Sequence, residues 1–340
     1  MTAASERATP PEFQTQGCGC RAAPKRICDL CYREESAFLA CSLACLKQHQ
    51  RACHPEHAAQ NSEERAHAAA RAMNRRFPNS WERYRDHRRR VMQLCAELPQ
   101  GGALCILGAG NCSDIDLGEL ASLQREIHLV DLDGEALERA RDREPAQVRE
   151  KIVLHPDFDL SGLVAQLDEW GEEFPERTEL GKRAVGAAQS VLRALGRRFS
   201  AVVSTCVLSQ LALPFRRAWV TSRGNWADLL SALSAIHLAT LAGSTESGGK
   251  SLLVFDTSSS KDTPELALQG ALSARELESF VDRARQSKTL TLEPAPEQLL
   301  FQLGSPGLSA LVGAAEIGLP WLWDLGDATQ LVYSLRFSHP

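Results

Sequence analysis

Long hydrophobic runs are missing from this chain of 340 residues, and none approaches the roughly 18 apolar residues that a membrane span requires. The N-terminal stretch MTAASERATPPEFQTQ has no apolar core of the kind found in secretion signals. An excess of basic charge is also missing, because 38 Lys and Arg face 43 Asp and Glu, for a net charge of -5. These absences predict a cytoplasmic protein that binds neither a membrane nor nucleic acid.

Cysteine is scarce outside the N-terminal segment, since seven of the eleven cysteines lie between Cys18 and Cys53. In a cytosolic chain such a cluster indicates metal rather than disulfides. With one histidine it offers eight ligands, enough for two tetrahedral zinc sites. The eight are Cys18, Cys20, Cys28, Cys31, Cys41, Cys45, His49 and Cys53. The C-x2-C spacing lets two thiolates reach one metal, and the last four ligands recur every four residues, along one face of a helix.

If one helix provides ligands to two zinc ions, an interleaved arrangement of the ligands is favoured. The first zinc would take Cys18, Cys20, Cys41 and Cys45, and the second Cys28, Cys31, His49 and Cys53. The stretch CSLACLKQHQRAC resembles the HIT and MYND family of small two-zinc fingers. The resemblance implies structural zinc and a protein or peptide partner. It departs from the family in its C-x-C pair and in the nine residues between Cys31 and Cys41, so His54 or His57 is an alternative ligand for the first zinc site.

The stretch from Gly102 to Leu117, GALCILGAGNCSDIDL, organises the rest of the chain. Its apolar run ALCIL is typical of a buried parallel strand, and it leads into a G-A-G turn where the backbone can approach a ligand. A second buried run, Ile127 to Val130, ends in Asp131. A strand, a glycine turn, a helix and a strand ending in an acid predict the nucleoside-binding half of a doubly wound sheet.

The missing third glycine helps to choose the nucleoside. A dinucleotide fingerprint has glycine where this chain has Ser113, so the pattern favours a ligand without phosphates. The stretch resembles the first motif of class I S-adenosylmethionine (SAM)-dependent methyltransferases, in which a strand runs into G-x-G and the next strand ends in an acid. The resemblance implies that the glycine loop faces the methionine part of SAM and that the acid binds the ribose. The SAM-binding residues implied here are Gly108, Ala109, Gly110, Asn111, Asp131 and Leu132.

Further along the chain, the resemblance assigns the adenine and methyl ends of the site. The third strand, Lys151 to His155, is followed by PDFDLSG, where either Asp157 with Phe158 or Asp159 with Leu160 would bind adenine. The fourth strand ends beside the transferable methyl group in this family. The small polar residues at its end predict SAM contacts from Ser204 and Thr205, and the candidates for catalysis are Ser204, Thr205 and Gln210.

The remaining strands complete the expected sheet. Residues 251–256 (SLLVFD) predict a fifth strand, and Gln298 to Leu303 and Gln330 to Phe337 predict two more, joined by a loop that carries Trp321 and Trp323. The expected fold is therefore α/β, with a seven-stranded Rossmann-like methyltransferase sheet of order 3-2-1-4-5-7-6 and a small zinc-binding domain ahead of it.

The segment 61–98 predicts helices, broken near Pro78, with Ser80 as the N-cap of the second helix. Nine arginines lie between Arg65 and Arg90, which fits either a solvated helix face or a basic lid. Helices ahead of the first motif often cover the SAM pocket in the resembled family. The candidates for such contacts are Trp81, Tyr84 and Arg85. The expected divisions are a disordered lead over 1–16, the finger over 17–58, this linker or lid over 61–98, and the methyltransferase domain over 99–340.

The sequence thus predicts a SAM-dependent methyltransferase with two structural zinc ions. The acceptor is not readable, because no Asn-Pro-Pro-Tyr sequence, His-Asp pair or catalytic cysteine pair is recognisable. The finger favours a protein or peptide substrate over a small molecule. Two alternatives stay open: a SAM-binding zinc-finger adaptor without activity, and an NAD-linked oxidoreductase.

Overall fold

The computed structural model describes residues 14–17, 19, 26–27, 36–40, 43–53, 61–76, 80–168, 170, 175–218, 223–270 and 272–340. The strands are β1 Gln14–Gly17, β2 Arg26–Ile27, β3 Ser36–Ala40, β4 Ala103–Leu107, β5 Glu126–Val130, β6 Ile152–His155, β7 Phe199–Thr205, β8 Thr245–Ser259, β9 Ala315–Ile317, β10 Trp321–Asp324 and β11 Thr329–Ser338. The helices are α1 Leu43–Cys53, α2 Ser62–Arg75, α3 Ser80–Arg83, α4 Arg85–Cys95, α5 Leu117–Leu123, α6 Gly134–Asp142, α7 Ala146–Arg149, α8 Arg177–Leu195, α9 Leu208–Leu211, α10 Leu213–Ala218, α11 Arg223–Ser244, α12 Ala274–Gln286 and α13 Pro296–Leu303. Short 3-10 helices span Val164–Asp168 and Pro264–Leu268.

A central sheet of eight strands has the order β6-β5-β4-β7-β8-β11-β10, with β9 also paired to β11. The strands from β4 to β8 are parallel, and β11 is antiparallel to β8, β9 and β10. The predicted α/β class is confirmed, and the strand order is partly as predicted. The order β6-β5-β4-β7-β8-β11 corresponds to the predicted 3-2-1-4-5-7. Beyond β11, the sheet has β9 and β10 in place of the strand predicted at 298–303, which makes one additional strand.

The additional strand arises because the sixth strand is divided in two. β9 and β10 both lie along the outer side of β11, one near each of its ends. Between them, Gly318 approaches β11 so closely that a Cβ there would lie 2.4 Å from the Ser334 Oγ. Pro320 follows and has no N–H to donate to a ladder. The Gly318 N–H still donates to the Ser334 carbonyl at 2.8 Å, so the pairing is interrupted after Gly318, at Leu319 and Pro320.

Helices cover both faces of the sheet, because parallel strands with apolar residues on both sides must be buried on both sides. In β4, Ala103, Cys105 and Leu107 pack into a cluster with residues of α8, α11, α12 and α13. Leu104 and Ile106 point to the opposite face, toward residues of α4, α5 and α6. The carboxyl ends of the strands stay uncovered by these layers, which leaves room for a site there.

Helix α11 contains Trp226–Ser244, the one helix among the described residues that is long and apolar enough to cross a membrane. That segment is 56% buried within the protein. It packs against α8, β7 and β8, and Leu238 and Leu241 belong to the core of the sheet. A helix that is apolar around much of its surface is expected to be buried in this way.

Two predicted elements near the C-terminus are wrong. Residues 298–303, predicted as a strand, form part of α13, and the predicted loop with Trp321 and Trp323 is strand β10. A short apolar run such as QLLFQL fits a buried strand and a buried helix equally well by periodicity. Pro296 decides for a helix, since proline is favoured in the first helical turn.

The zinc prediction falls mostly outside the described residues. Cys45, His49 and Cys53 lie on α1, four residues apart, as the spacing predicted. The other predicted ligands, which lie outside the described residues, are Cys18, Cys20, Cys28, Cys31 and Cys41. Within the part of the chain that the structure describes, no group of three or more His, Cys, Asp or Glu is arranged to hold a metal ion.

The helical assignment of residues 298–303 can be tested by a pair of substitutions. Leu299 is 1% exposed, and its replacement by Ala should lower the free energy of unfolding by about 2–5 kcal/mol. Phe301 is 83% exposed, and Phe301→Ala should change it by less than about 0.5 kcal/mol. In a strand, positions 299 and 301 would share a face. Equal losses in urea unfolding would therefore contradict the helix.

Candidate active site

The loop that follows β4 is shaped by residues in the left-handed region. Gly108 has φ +71°, Gly110 has φ +48° and Cys112 has φ +48°. A Cβ at Gly108 would lie 2.3 Å from a methyl carbon of Val207, so no other residue fits without displacing that side chain. The backbone of this glycine loop (residues 108–112) is thereby brought to the edge of the sheet, unobstructed by side chains.

Asp131 stands at the end of β5 and bridges the glycine loop to the next turn. Its carboxylate accepts a hydrogen bond from the Gly110 N–H at 2.8 Å and another from the Asp133 N–H at 2.8 Å. Burial raises the pKa of Asp131 to about 6, although the backbone hydrogen bonds act in the opposite direction. A carboxylate whose pKa is raised in this way by burial is a candidate ligand-binding residue.

A first cavity, here the β6 cavity, lies at the ends of β5 and β6. The residues that line it are Ala66, Ala69, Ala70, Met73, Gly108, Asp131, Leu132, Phe158, Asp159, Leu160, Ser161, Val164, Val207, Gln210, Leu211, Leu213 and Pro214. Its walls are mostly apolar, with the two carboxylates Asp131 and Asp159 at one side. Such a lining suits a flat heterocycle with a few polar edges.

Of the two acids after β6, Asp159 and not Asp157 lines the β6 cavity. The Asp159 carboxylate accepts hydrogen bonds from the Ser161 N–H, the Ser161 hydroxyl and the Val164 N–H, at 2.9, 2.6 and 3.0 Å. Asp157 has φ +55° and an exposed side chain 3.6 Å from His67 Nδ1. Of the two pairs predicted from the sequence, the second is the one in the cavity, with Phe158 beside it.

A second cavity, here the loop cavity, adjoins the first. The residues that line it are Ala70, Met73, Asn74, Arg76, Ser80, Tyr84, Gly108, Ala109, Gly110, Asn111, Cys112, Ser113, Asp114, Asp131, Thr205, Cys206, Ser209, Gln210, Asp256, Trp323, Leu325 and Gln330. Three carboxylates, those of Asp114, Asp131 and Asp256, therefore share one cavity. Burial raises the pKa of Asp114 and of Asp256, as it does that of Asp131.

The two neighbouring candidates on β7 point in opposite directions. Thr205 lines the loop cavity, and its hydroxyl hydrogen bonds to Asp114. Ser204 is fully buried and lines neither the β6 cavity nor the loop cavity. Its hydroxyl lies 2.8 Å from His237 Nε2 on α11. Successive side chains of a strand alternate between faces, so only one of the pair can reach the site. The placement of Ser204 beside the methyl group is therefore corrected.

Helix α2 lies over the glycine loop. The Asn74 side chain donates to Asp133 Oδ2 at 3.0 Å, and Asn111 donates to the Asn74 carbonyl at 2.7 Å. A Cβ at Gly110 would lie 2.7 Å from Asn74 Oδ1. The ion pair between Arg75 and Glu135, at 2.7 Å, fastens the end of the helix to α6. Helix α2 is thus a covering element of both cavities.

The aromatic residues after α2 support the loop from the other side. Trp81 lies between two guanidinium groups, with the Arg88 Cζ 3.4 Å and the Arg143 Cζ 4.8 Å from its ring centre. Arg88 donates to the carbonyls of Trp81 and Ser113, both at 2.8 Å. Ser80, predicted as an N-cap, instead meets the Ser113 hydroxyl at 2.7 Å. This packing fixes the end of the loop.

The three predicted lid residues have different surroundings. Tyr84 lines the loop cavity and packs edge-on against Trp323, with ring centres 4.8 Å apart. Arg85 is exposed and pairs with Glu82. Trp81 supports the loop from outside the cavity. Only Tyr84 of the three lines the site.

Sequence reasoning missed three residues that the structure brings to the site: Asn74, Asp114 and Asp256. The signal for Asp256 was present, because it ends the run SLLVFD as Asp131 ends its own strand, and carboxyl ends of parallel strands meet at one edge. Asp114 lies past the glycine loop and Asn74 on a distant helix, where no local pattern marks them.

Comparison with known proteins adds a likeness of fold. Neither a protein-family model nor a curated protein matches the chain. The N-methyltransferase NodS from Bradyrhizobium japonicum WM9 is 12% identical, with a TM-score of 0.37, over 77% of this chain and 98% of that chain. The glycopeptide N-methyltransferase MtfA, complexed with SAM, is 15% identical, with a TM-score of 0.35, over 74% and 92%. The methyltransferase domain of bacterial CtHen1 is 10% identical, with a TM-score of 0.36, over 76% and 99%.

The sheet order and the glycine loop define a mixed α/β protein whose central sheet resembles that of Rossmann-like methyltransferases.

The burial of Asp131 predicts a pH-dependent stability. Its native pKa of about 6 lies above the ordinary 3.8, so the native state binds the proton more tightly. The stability that this group contributes is present below pH 3.8 and is lost as the pH rises through about 6. Between pH 4 and pH 7, wild type should therefore lose stability relative to Asp131→Ala by on the order of 3 kcal/mol.

Chemical unfolding of both proteins across this pH range measures the difference. Asp157→Ala, which removes an exposed carboxylate, is the comparison variant. A pH-independent difference for Asp131→Ala would show that the carboxyl is not buried as described.

Proposed function

We propose that this protein is a SAM-dependent methyltransferase whose SAM site comprises the β6 cavity and the adjoining loop cavity. The position of Asp131 carries the proposal. Its carboxylate stands at the end of the second parallel strand, beside the glycine loop, and lines both cavities. A doubly wound sheet binds its ligand here, outside the carboxyl ends of the strands.

The residues that line the two cavities fit the parts of SAM. The carboxylate of Asp131 is an acceptor for the ribose hydroxyls, and that of Asp159 for the adenine amino group. Leu132, Phe158 and Leu160 provide an apolar surface for the adenine ring. The glycine loop leaves the backbone accessible to the methionine part.

When bound, SAM supplies a methyl group on a positively charged sulfur. The protein then has to hold the nucleophilic atom of the acceptor in line with the bond between the methyl group and sulfur, and to exclude water. Thr205 and Gln210, which line the loop cavity, are the candidates for orienting the acceptor, and Gln210 also lines the β6 cavity. The hydrogen bonds of Asn74 keep α2 over the site.

For the N-terminal segment we propose two structural zinc ions, bound by the eight ligands that the sequence predicts, in a finger over residues 17–58. Four thiolate or imidazole ligands leave a zinc ion no open position for catalysis. A finger of this kind would recruit a protein or peptide. A cytoplasmic location is part of the same proposal.

An NAD-linked oxidoreductase is less well supported. Ser113, which replaces the third glycine of the dinucleotide fingerprint, ties the loop to α3 through Ser80. The sheet also closes with the antiparallel pair β10 and β11, as in methyltransferases. An inactive SAM-binding adaptor would bind SAM but not consume it, so turnover separates it from an enzyme.

Calorimetry with SAM and with S-adenosylhomocysteine (SAH) tests the site. Asp131→Ala removes the ribose acceptor and should weaken both ligands by about tenfold or more, since a hydrogen bond to a charged group contributes about 1.5–3 kcal/mol. Asp157→Ala should retain wild-type affinity. Equal affinities in the two variants would contradict the ribose assignment, and absence of binding by wild type would contradict the proposed function.

Elemental analysis tests the zinc proposal, with two zinc ions expected per chain. One equivalent would mean that Cys18 and Cys20 do not form a ligand pair, and none would remove the finger. A chelator should unfold residues 17–58, because metal binding and folding are coupled in so small a segment. SAH binding should survive chelation, since the α/β core has its own apolar interior.

A further inference from the structure

A third cavity continues the loop cavity on the side of β8. We call it the β8 cavity. The residues that line it are Met73, Ser209, Gln210, Ala212, Leu213, Trp226, Leu230, Asp256, Thr257, Ser258, Ser259, Asp262, Thr263, Thr289, Thr291, Glu293 and Gln330. Five of these residues also line the loop cavity: Met73, Ser209, Gln210, Asp256 and Gln330. A molecule in the β8 cavity therefore has direct access to the proposed SAM site.

The polar lining of the β8 cavity has one sign of charge. It contains the carboxylates of Asp256, Asp262 and Glu293 together with seven hydroxyl groups. No lysine or arginine is among its described lining residues, and no described basic side chain forms an ion pair with these three carboxylates. Trp226 and Leu230 add an apolar wall. Such a lining repels anions and attracts a cation that carries an apolar body.

Asp256 occupies the junction of the two cavities. It ends the apolar part of β8, and the Ser209 hydroxyl donates to its Oδ1 at 3.0 Å. That hydrogen bond holds the carboxylate in a fixed orientation between the proposed SAM site and the β8 cavity. Among the three acids of the β8 cavity, it is the one that also lines the loop cavity.

We propose that the methyl acceptor is an amine, which enters the β8 cavity as an ammonium ion and is bound by Asp256. This inference rests on the proposed function. In the step, the ammonium gives one proton to the Asp256 carboxylate, and the freed nitrogen lone pair forms the new C–N bond. The C–S bond of SAM breaks, its electron pair returns to sulfur, and SAH leaves as a neutral thioether.

The environment of Asp256 supports the proton transfer. Burial raises the pKa of its carboxyl group above the ordinary range, which makes the carboxylate a stronger base toward an ammonium ion. Asp262 and Glu293 lie further along the same cavity and would bind other cationic or hydrogen-bonding parts of the acceptor.

Ligand-observed NMR with matched pairs of probes tests the acceptor class on the full chain saturated with SAH. The pairs are phenethylamine with 3-phenylpropionate, and butylamine with pentanoate, so that only the charged group changes within a pair. Each amine should bind at least about tenfold more tightly than its partner acid, a factor that corresponds to about 1.4 kcal/mol. In Asp256→Asn the preference should fall to within about threefold.

Two controls separate this inference from the proposed function. Glu265→Gln changes an exposed acid outside the cavity and should leave the amine preference intact. Asp256→Asn should unfold cooperatively in urea, as wild type does, which shows that the variant folds. Carboxylates that bind as tightly as amines, amines that do not bind at millimolar concentration, or a preference that survives in Asp256→Asn would each overturn the amine acceptor. If wild type does not bind SAH at all, that result would instead overturn the proposed function.

Discussion

The carboxylate of Asp131 joins two backbone segments, and the rest of the site depends on that junction. One of its oxygens accepts from the Gly110 N–H and the other from the Asp133 N–H. Gly110 can adopt the φ of +48° that directs its N–H toward Asp131 because it has no side chain. A Cβ at this position would collide with the side chain of Asn74. A single side chain therefore sets the path of the loop after β4 and of the turn after β5, and both line the proposed SAM site.

The charges around the site leave its acids only partly compensated. Burial raises the pKa values of Asp114, Asp131 and Asp256, which lowers stability at neutral pH and is typical of functional sites. Among the arginines of residues 65–90, the charge of Arg88 opposes the rise in the pKa of Asp114, but burial has the larger effect. Arg76, the one arginine among the described residues that line the loop cavity, pairs with Asp327. Arg88 uses its guanidinium on backbone carbonyls instead.

The sheet was predictable because its central strands are apolar on both faces and end at glycines or acids. A strand buried on both sides is a short continuous apolar run, and that pattern stands out in the sequence. The same pattern does not identify the structure of QLLFQL, because Leu299 and Leu303 lie on one face of a helix and would also lie on one face of a strand. The division into β9 and β10 falls at Leu319 and Pro320, after the close approach of Gly318 to Ser334, a contact that no local pattern reveals.

In the candidate site, the sequence predicts only those residues whose position is determined by the end of a single strand. The alternation of faces along β7 separates Thr205 from Ser204, but a sequence does not say which face meets the cavity. Asn74 reaches Asp133 across 59 residues, so its role arises from the docking of α2. Asp256 follows the same rule as Asp131, since both acids lie just past the parallel pairing of their strands, which ends at Val130 in β5 and at Val254 in β8. Because β4 and β7 lie between these two strands, Asp131 lines the β6 cavity and Asp256 lines the β8 cavity.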